Sequence, residues 1–506
     1  PAPPALPPLL AAIKAVGVGK HGSKPIPPEI LAPLTTELRA CLHLAAAAAS
    51  EAPGPWEGPE WEQVARLGAF YGALFVKVKL EEREAALLGM CVGRGRGDGR
   101  VEGGAVGFTR GVGTCTAGEL LRAVCPGVEP GSKEFLLAAR VLAGERLERD
   151  EARWVADAIL FNPEENWATL PLKSVLAAVF RVRHETVPEL SGFTDAACTR
   201  ITHSNLLLSP PSGAVALLSE PLDGVDGAPL VTPAICARLR ARWGVARTLL
   251  VSGRNPGPKK GVTTADLAEA LASRGIRLVE TLDHREAAPD LDAWVPLRRA
   301  ILKRPFLAIV EKLAAPRVAI PGGTTSDNVS EPAAALLVLS AFHPSAVENI
   351  LGAAESQGFR GILLVERGPE GALGFPATDT RPARVHVSAR GARADRMNGG
   401  GGGFEYVRDM FEFGPADAGA APGIPAREPL EGLTAEMNAA LVVTALGLED
   451  AAGDCEEALK ESVGGKEVRL RPSGFVAYDK CLEVSIAGVD KAMEWLTAQG
   501  VFEAAI

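Results

Sequence analysis

From residue 214 onward, short apolar runs recur between amphipathic stretches, and this alternation constrains the fold more than any other feature of the chain. The runs are AVALLS (214–219), TLLVSG (248–253), IRLVET (276–281), LLVLSAF (336–342) and GILLVE (361–366). Each is short for a helix and mostly apolar, the pattern of a strand buried on both faces. TTADLAEALASRG (263–275) and PSAVENILGAAESQG (344–358) carry helical periodicity between them. Strands alternating with helices imply an α/β domain over 211–506, with a largely parallel sheet flanked by helices and its core within 210–400. RMNGGGGGFEYVRD (396–409) interrupts the pattern, and LTAEMNAALVVTALG (433–447) returns to helix.

The first 210 residues read differently. Strand signals are poor and helical periodicity is good, which predicts a helical N-terminal region in two parts, 1–130 and 131–210. GALFVKVKLEEREAALLGM (72–90) parallels LAAVFRVRHETVPELSGF (176–193), and 9–31 parallels 136–155. Each pair runs helix, basic or polar turn, then a second helix with acids in its first turn. The parallel suggests two versions of one helical unit, with a coincidence of generic amphipathic helices as the alternative. Between them, CVGRGRGDGRVEGGAVGFTRGVG (91–113) is too rich in glycine for a helix and reads as an irregular loop.

At 506 residues and 47% hydrophobic content, the chain has material for several packed domains. No apolar run approaches the roughly 20 residues that span a bilayer, so a soluble protein with no membrane partner is expected. The eight cysteines have no CxxC spacing, which points to a reducing compartment rather than a disulfide frame or structural zinc. A net charge of −9 argues against a polyanion binder over the whole surface while leaving room for a local basic face. The opening PAPPALPP suggests removal of an organelle-targeting peptide, from a mitochondrial or chloroplast protein; a trimmed sequence from a cytoplasmic one is the alternative.

The order of these stretches resembles the anthranilate phosphoribosyltransferase family, glycosyltransferase family 3. The resemblance runs through LAGERLERDEARWVADAIL (142–160), AAVFRVRHETVPELSGF (177–193), GVTTADLAEAL (261–271), VPLRRAILKRPFLAIVEKLAAP (295–316), AFHPSAVENIL (341–351) and MNAALVVTALG (437–447). It implies that family's fold and a homodimer formed through the N-terminal helices, with Leu74, Phe75, Val179 and Phe180 on the apolar stripes that need cover. An intrachain contact is the competing use of those stripes.

The resemblance also locates where chemistry would sit. Phosphoribosyl transfer needs a glycine-rich cradle for phosphates and acids for magnesium. The family's Gly-Thr-Gly-Gly-Asp cradle corresponds to PLDGVDGAP (221–229), where Asp223, Gly224, Asp226 and Gly227 keep part of it and Val225 breaks the glycine pair. Its His-Gly-Asn turn corresponds to VSGRNPGPKKG (251–261), with Ser252 at the histidine and Asn255 one place late. Its metal-binding Gly-Leu-Asp-Glu corresponds to Gly371-Ala372-Leu373-Gly374, and both carboxylates are gone. Glu366 and Glu370 are nearby acids, read as surface charge. The loss is closest to the YbiB-like branch of the family, which implies binding of nucleic acid without sequence preference.

Basic residues supply candidate anion or nucleic-acid contacts. Arg254, Asn255, Lys259 and Lys260 lie at a strand-to-helix turn. Arg298, Arg299, Lys303 and Arg304 are expected on one helix, with Arg299 and Lys303 on one face. Arg94, Arg96, Arg100 and Arg110 give the glycine loop an RG spacing like RNA-binding segments. A solvated surface or a solubilising linker is the plainer use of each group. The seven histidines show no metal-ligand spacing.

The combined expectation is a catalytically inactive transferase-like protein, a binding or structural component with RNA, single-stranded nucleic acid or a ribonucleoprotein in an organelle. No catalytic residue, metal or cofactor is assigned. Two alternatives stay open: a divergent active transferase using Mg near Asp223 and Asp226, and a purely structural dimer or interaction module.

Overall fold

The computed structural model describes residues 6–18, 22–49, 60–92, 115–162, 169–201, 214–220, 231–253, 262–273, 275, 280–283, 288–301, 307–314, 317–318, 331–332, 335–366, 372–374, 383–391, 405–413, 439 and 472–502. The chain divides into two compact units, Pro1–Ala197 with Ala293–Ala308, and Cys198–Asp292 with Ile309–Ile506. The two helical parts expected from the sequence therefore form one unit, and a later segment returns to it.

The helical unit holds α1 (Pro8–Val16), α2 (Leu31–Ala48), α3 (Glu60–Phe75), α4 (Glu82–Cys91), α5 (Ala117–Val124), α6 (Lys133–Leu142), α7 (Arg149–Val155, continued by a π turn to Leu160), α8 (Leu170–Arg183) and α9 (Val187–Cys198). Its two halves share one internal bonding scheme. Glu84, at the third position of α4, is fully buried and accepts from Lys77 Nζ (2.7 and 2.8 Å), from the Ile26 amide (3.1 Å) and from the Glu81 amide (3.0 Å). Glu189, at the third position of α9, is equally buried. It accepts from Arg183 (2.6 and 3.0 Å), from the Leu147 amide (3.0 Å) and from the Thr186 amide (2.9 Å). In each half a capping carboxylate ties its own helix start to the segment leading into an earlier helix, and a basic side chain, buried Lys77 or half-buried Arg183, neutralises it. The sequence parallel thus extends to hydrogen bonding.

The halves meet where α3 runs along α8. Gly68 and Gly72, one turn apart, let the backbones approach: a Cβ on Gly72 would lie 2.7 Å from the Val175 carbonyl oxygen and 3.0 Å from its Cα. Leu74, Val179 and Phe180 are buried and Phe75 half-buried inside the chain. Intrachain packing, the competing use of those stripes, therefore covers these four side chains.

The second unit holds β1 (Val215–Glu220), α10 (Thr232–Trp243), β2 (Arg247–Ser252), α11 (Thr264–Ser273), β3 (Glu280–Asp283) and α12 (Pro289–Asp292). The chain then contributes α13 (Val295–Ala300) to the helical unit, where Trp294 Nε1 donates to the Leu160 carbonyl (2.6 Å) and Arg66 Nε to the Ala300 carbonyl (3.0 Å). After α14 (Leu307–Leu313) come β4 (Arg317–Val318), β5 (Glu331–Pro332), β6 (Leu336–Ala341), α15 (Val347–Ser356), β7 (Gly361–Glu366), β8 (Ala383–Arg390), β9 (Tyr406–Phe413) and α16 (Pro472–Ala498). Apart from the small β4–β5 pair, the described strands form one seven-stranded sheet, in the order β3-β2-β1-β6-β7-β8-β9. The neighbours from β3 to β7 pair in parallel, and β7–β8 and β8–β9 are antiparallel.

The fold is thus α/β with a largely parallel sheet flanked by helices, and a helical N-terminal unit. β1, β6 and β7 are buried along their whole length, as two-sided helix cover requires. The core joins Leu218, Leu250, Val338 and Leu363 to α10, α11 and the end of α16. The sheet reaches residue 413, beyond the expected limit of 400, because the stretch read as an interruption contributes β9. Residues 433–447 lie outside the described residues except Ala439, which is buried. Among the described residues no helix is long and apolar enough to cross a membrane.

Candidate functional site

The sheet order reverses beside β1, which has β2 on one side and β6 on the other. In open α/β sheets the crevice at the carboxyl ends of the strands at such a switch point is where ligands bind. Here the last residue of β1 is Glu220, fully buried, in register with Ser252 at the end of β2.

Protein donors occupy this carboxylate. Thr232 and Thr264, the first residues of α10 and α11, each donate a hydroxyl to Glu220 Oε2 at 2.6 Å. The backbone amide of Leu373 donates to Oε1 at 2.5 Å. Two helix N-termini therefore converge on one buried negative charge, and their partial positive charge offsets part of its desolvation. The α11 start is further closed. The Ala265 amide donates to Ser252 Oγ (3.1 Å) and the Asp266 amide to Thr263 Oγ1 (3.1 Å), while Asp266 accepts from the Thr263 amide (2.8 Å). A helix start is an anion site while its amides face outward; these two are spent on side chains.

Ala372, Leu373 and Gly374 are buried, and Ala372 and Leu373 belong to the sheet core. By the sequence resemblance this is where a metal-binding acidic pair would stand. A leucine packed in a core and a glycine offer no side-chain oxygen, so the described residues do not fit a magnesium ion there. Among the described residues no group of three or more His, Cys, Asp or Glu is placed to hold a metal.

Two further polar groups lie at the strand ends. Lys312, buried on α14, donates to the Ser340 carbonyl (2.9 Å) and Oγ (3.0 Å) on β6. Glu366, closing β7, is only 4% exposed and lies 2.8 Å from His386 Nε2. The surface-charge reading of Glu366 is therefore corrected: the acid ends a buried strand and pairs with the neighbouring antiparallel one.

Of the sequence candidates, only Arg298 and Arg299 fall on described residues. Asp223, Gly224, Asp226, Gly227, Arg254, Asn255, Lys259, Lys260, Lys303, Arg304, Arg94, Arg96, Arg100 and Arg110 lie outside them, as does Glu370. Arg298 and Arg299 sit on α13 of the helical unit and diverge: Arg298 is the largest fully buried side chain among the described residues, and Arg299 is exposed. Burial takes Arg298 out of any solvent-facing phosphate patch. α13 ends at Ala300.

Glu220, Lys312 and His386 were not singled out by sequence reasoning. The available signal was an acid terminating an uninterrupted apolar strand, VALLSE and GILLVE alike. An acid carried that far into a buried strand needs internal donors.

No family model matches this chain, and no curated protein matches it. Among solved structures it is similar to anthranilate phosphoribosyltransferase from Thermus thermophilus, at 19% identity over 71% of this chain and 98% of that one, with a TM-score of 0.40. It is also similar to the Saccharomyces cerevisiae enzyme in complex with PRPP and Mg, at 11% identity over 76% and 97% of the two chains, TM-score 0.40. Another structure of the yeast protein matches at 13% identity over 73% and 95%, TM-score 0.41. What the strand order itself establishes is an α/β protein with a mostly parallel seven-stranded sheet.

Proposed function

We propose that this chain is a phosphoribosyltransferase-like scaffold that has lost the transfer chemistry and works as a binding or structural component. The observation that carries the reading is the bond from the Leu373 amide to Glu220, with Ala372 and Leu373 packed into the core. An apolar segment docks on the carboxylate at the edge where a transferase would bring magnesium and diphosphate together. A diphosphate brought there meets a buried negative charge with no acidic pair to recruit a cation.

The partner we propose is RNA or another single-stranded nucleic acid, as in the YbiB-like branch. Support for it lies in sequence: the RG-spaced arginines 94, 96, 100 and 110, and the basic residues at 254, 259, 260, 299, 303 and 304. Arg298 is dropped from the set because it is buried.

The test pairs two titrations. Calorimetry with phosphoribosyl pyrophosphate is expected to show no magnesium-dependent heat, and anthranilate is expected to remain unconverted. RNA affinity is expected to fall steeply as salt rises, because counterions are released on binding. Turnover, or magnesium-dependent binding abolished by Asp223→Ala, would sink the inactive reading. No RNA binding at low salt would remove the nucleic-acid partner and leave a structural module.

A further inference from the structure

Among the described residues, the antiparallel end of the sheet finishes in a strand whose outer edge can take another strand. β9 is the last strand in the sheet order, eight residues long, with no described strand beyond it. The Gly391 amide donates to the Glu405 carbonyl at 2.9 Å, and this fixes the alternation along the hairpin. Backbone groups of Val407, Asp409, Phe411 and Phe413 face β8, and those of Tyr406, Arg408, Met410 and Glu412 face outward. The Met410 amide illustrates this: its contact is the carboxylate of the preceding residue, Asp409 Oδ1 at 2.8 Å. Val407 is 50% exposed and Met410 42%, one on each face of the strand, so exposed apolar surface lies on both faces of β9.

We propose that β9 pairs antiparallel with β9 of a second copy of this chain, joining two sheets across a two-fold axis at Met410. The charges select this partner and this register. Only outward-facing residues enter the new ladder, so allowed registers pair even positions with even positions. Centring on Met410 sets Arg408 of each copy opposite Glu412 of the other, twice, and Val407 opposite Phe413. Centring on Arg408, Asp409 or Glu412 brings like charges face to face, which is destabilising. Centring on Phe411 has no such conflict, but it shortens the paired length and loses both Arg–Glu pairs.

Arg408 is held in place by Glu355 (2.6 Å) and Glu348 (2.8 Å), and Glu412 by Arg384 (2.6 Å). Both charges are therefore positioned before a partner arrives. Charged residues on an edge strand ordinarily discourage pairing; here they disfavour registers centred on Arg408, Asp409 or Glu412 and favour the one centred on Met410. The contact is distinct from the α3–α8 packing, which is completed within one chain.

The test is sedimentation of the full chain at tens of micromolar, where a dimer is expected. Met410→Pro removes one outward amide, leaves the ladder to β8 intact and is tolerated on an edge strand. It is expected to weaken self-association about tenfold or more with an unchanged circular dichroism spectrum. Met410→Cys places two thiols at the axis and is expected to give an interchain disulfide under mild oxidation, which the wild type does not form. A monomeric wild type overturns the proposal. So does a dimer that is indifferent to Met410→Pro and yields no cross-link, an outcome that assigns the edge to an extended segment of a different protein or to none.

Discussion

The Leu373 amide and the Glu220 carboxylate, from segments on opposite sides of β6 in the chain, are joined by a 2.5 Å hydrogen bond at the carboxyl end of β1. With the two threonine hydroxyls it completes a three-donor shell around a fully buried charge. Glu220→Ala strands all three donors and is expected to cost about 3 kcal/mol or more, since each buried donor left without an acceptor costs about 1–3 kcal/mol. Glu220→Gln keeps one acceptor and loses less. Urea denaturation measures both, and a loss under about 1 kcal/mol for Glu220→Ala would refute the hub role.

The α3–α8 approach gives a second expectation. Gly72→Ala drives a methyl to 2.7 Å from the Val175 carbonyl oxygen, and Gly68→Ala meets the Pro171 carbonyl more closely still. Neither obstacle is a flexible side chain, so each variant is expected to lose about 2 kcal/mol or more. Gly118→Ala, in α5, meets nothing nearer than 3.9 Å and is expected to gain about 0.5–1 kcal/mol from helix propensity. Thermal or urea unfolding of the three side by side separates close packing from a general dislike of substitution.

What the sequence disclosed followed burial. β1, β2, β6 and β7 were legible because they are apolar on both faces. β8 and β9 were not, because an edge hairpin with one polar face reads as ARVHVSAR and YVRDMFEF, without an apolar run. α16 was missed as well. That residues 372–374 carry no side-chain acid could be read from residue identity. That the Leu373 amide and the Thr232 and Thr264 hydroxyls would converge on Glu220 could not, because these three donors come from residues far apart in the chain. The likeness of the two helical halves was visible in sequence; the equivalence of Glu84 and Glu189 needed their partners Ile26 and Leu147.

His184 is held at φ 59°, the one described residue other than glycine with a positive φ, and its ψ is 150°. That region is essentially glycine's, and other residues occupy it at a cost of about 1–3 kcal/mol. Arg146 pins the turn by donating to the His184 carbonyl at 2.6 Å. His184→Gly is expected to raise stability by about 1 kcal/mol, the relieved strain exceeding the added chain entropy. Unchanged or lowered stability in urea would show that the imidazole makes a contact worth more than the strain.

Glu185, next in the chain, is buried, and its carboxyl is pushed up to about 7. Burial is the main cause, opposed by the Glu185 backbone hydrogen bond and Arg183 and Arg181, and reinforced by Glu189. An unfolded chain releases this proton near 4.5. The contribution of this carboxyl is therefore full below about pH 4.5, declines as pH rises, and is lost above about 7, because the folded state binds the extra proton. The shift corresponds to about 3 kcal/mol. Glu185→Gln is expected to lose less stability between pH 5 and pH 8 than the wild type; parallel pH profiles would refute the assignment.

The strand order also dictates a sequence of events as the chain is made. β1 can take β2 as soon as α10 has folded between them, but its other neighbour, β6, is synthesised more than a hundred residues later, and Leu373 later again. Until that late segment arrives, the Glu220 carboxylate has only part of its shell and stays in contact with water. The dehydration of this charge is thus deferred to the end of assembly. Docking of residues 372–374 acts as a completion step, so a chain cut short before β7 exposes an acid that the finished protein hides.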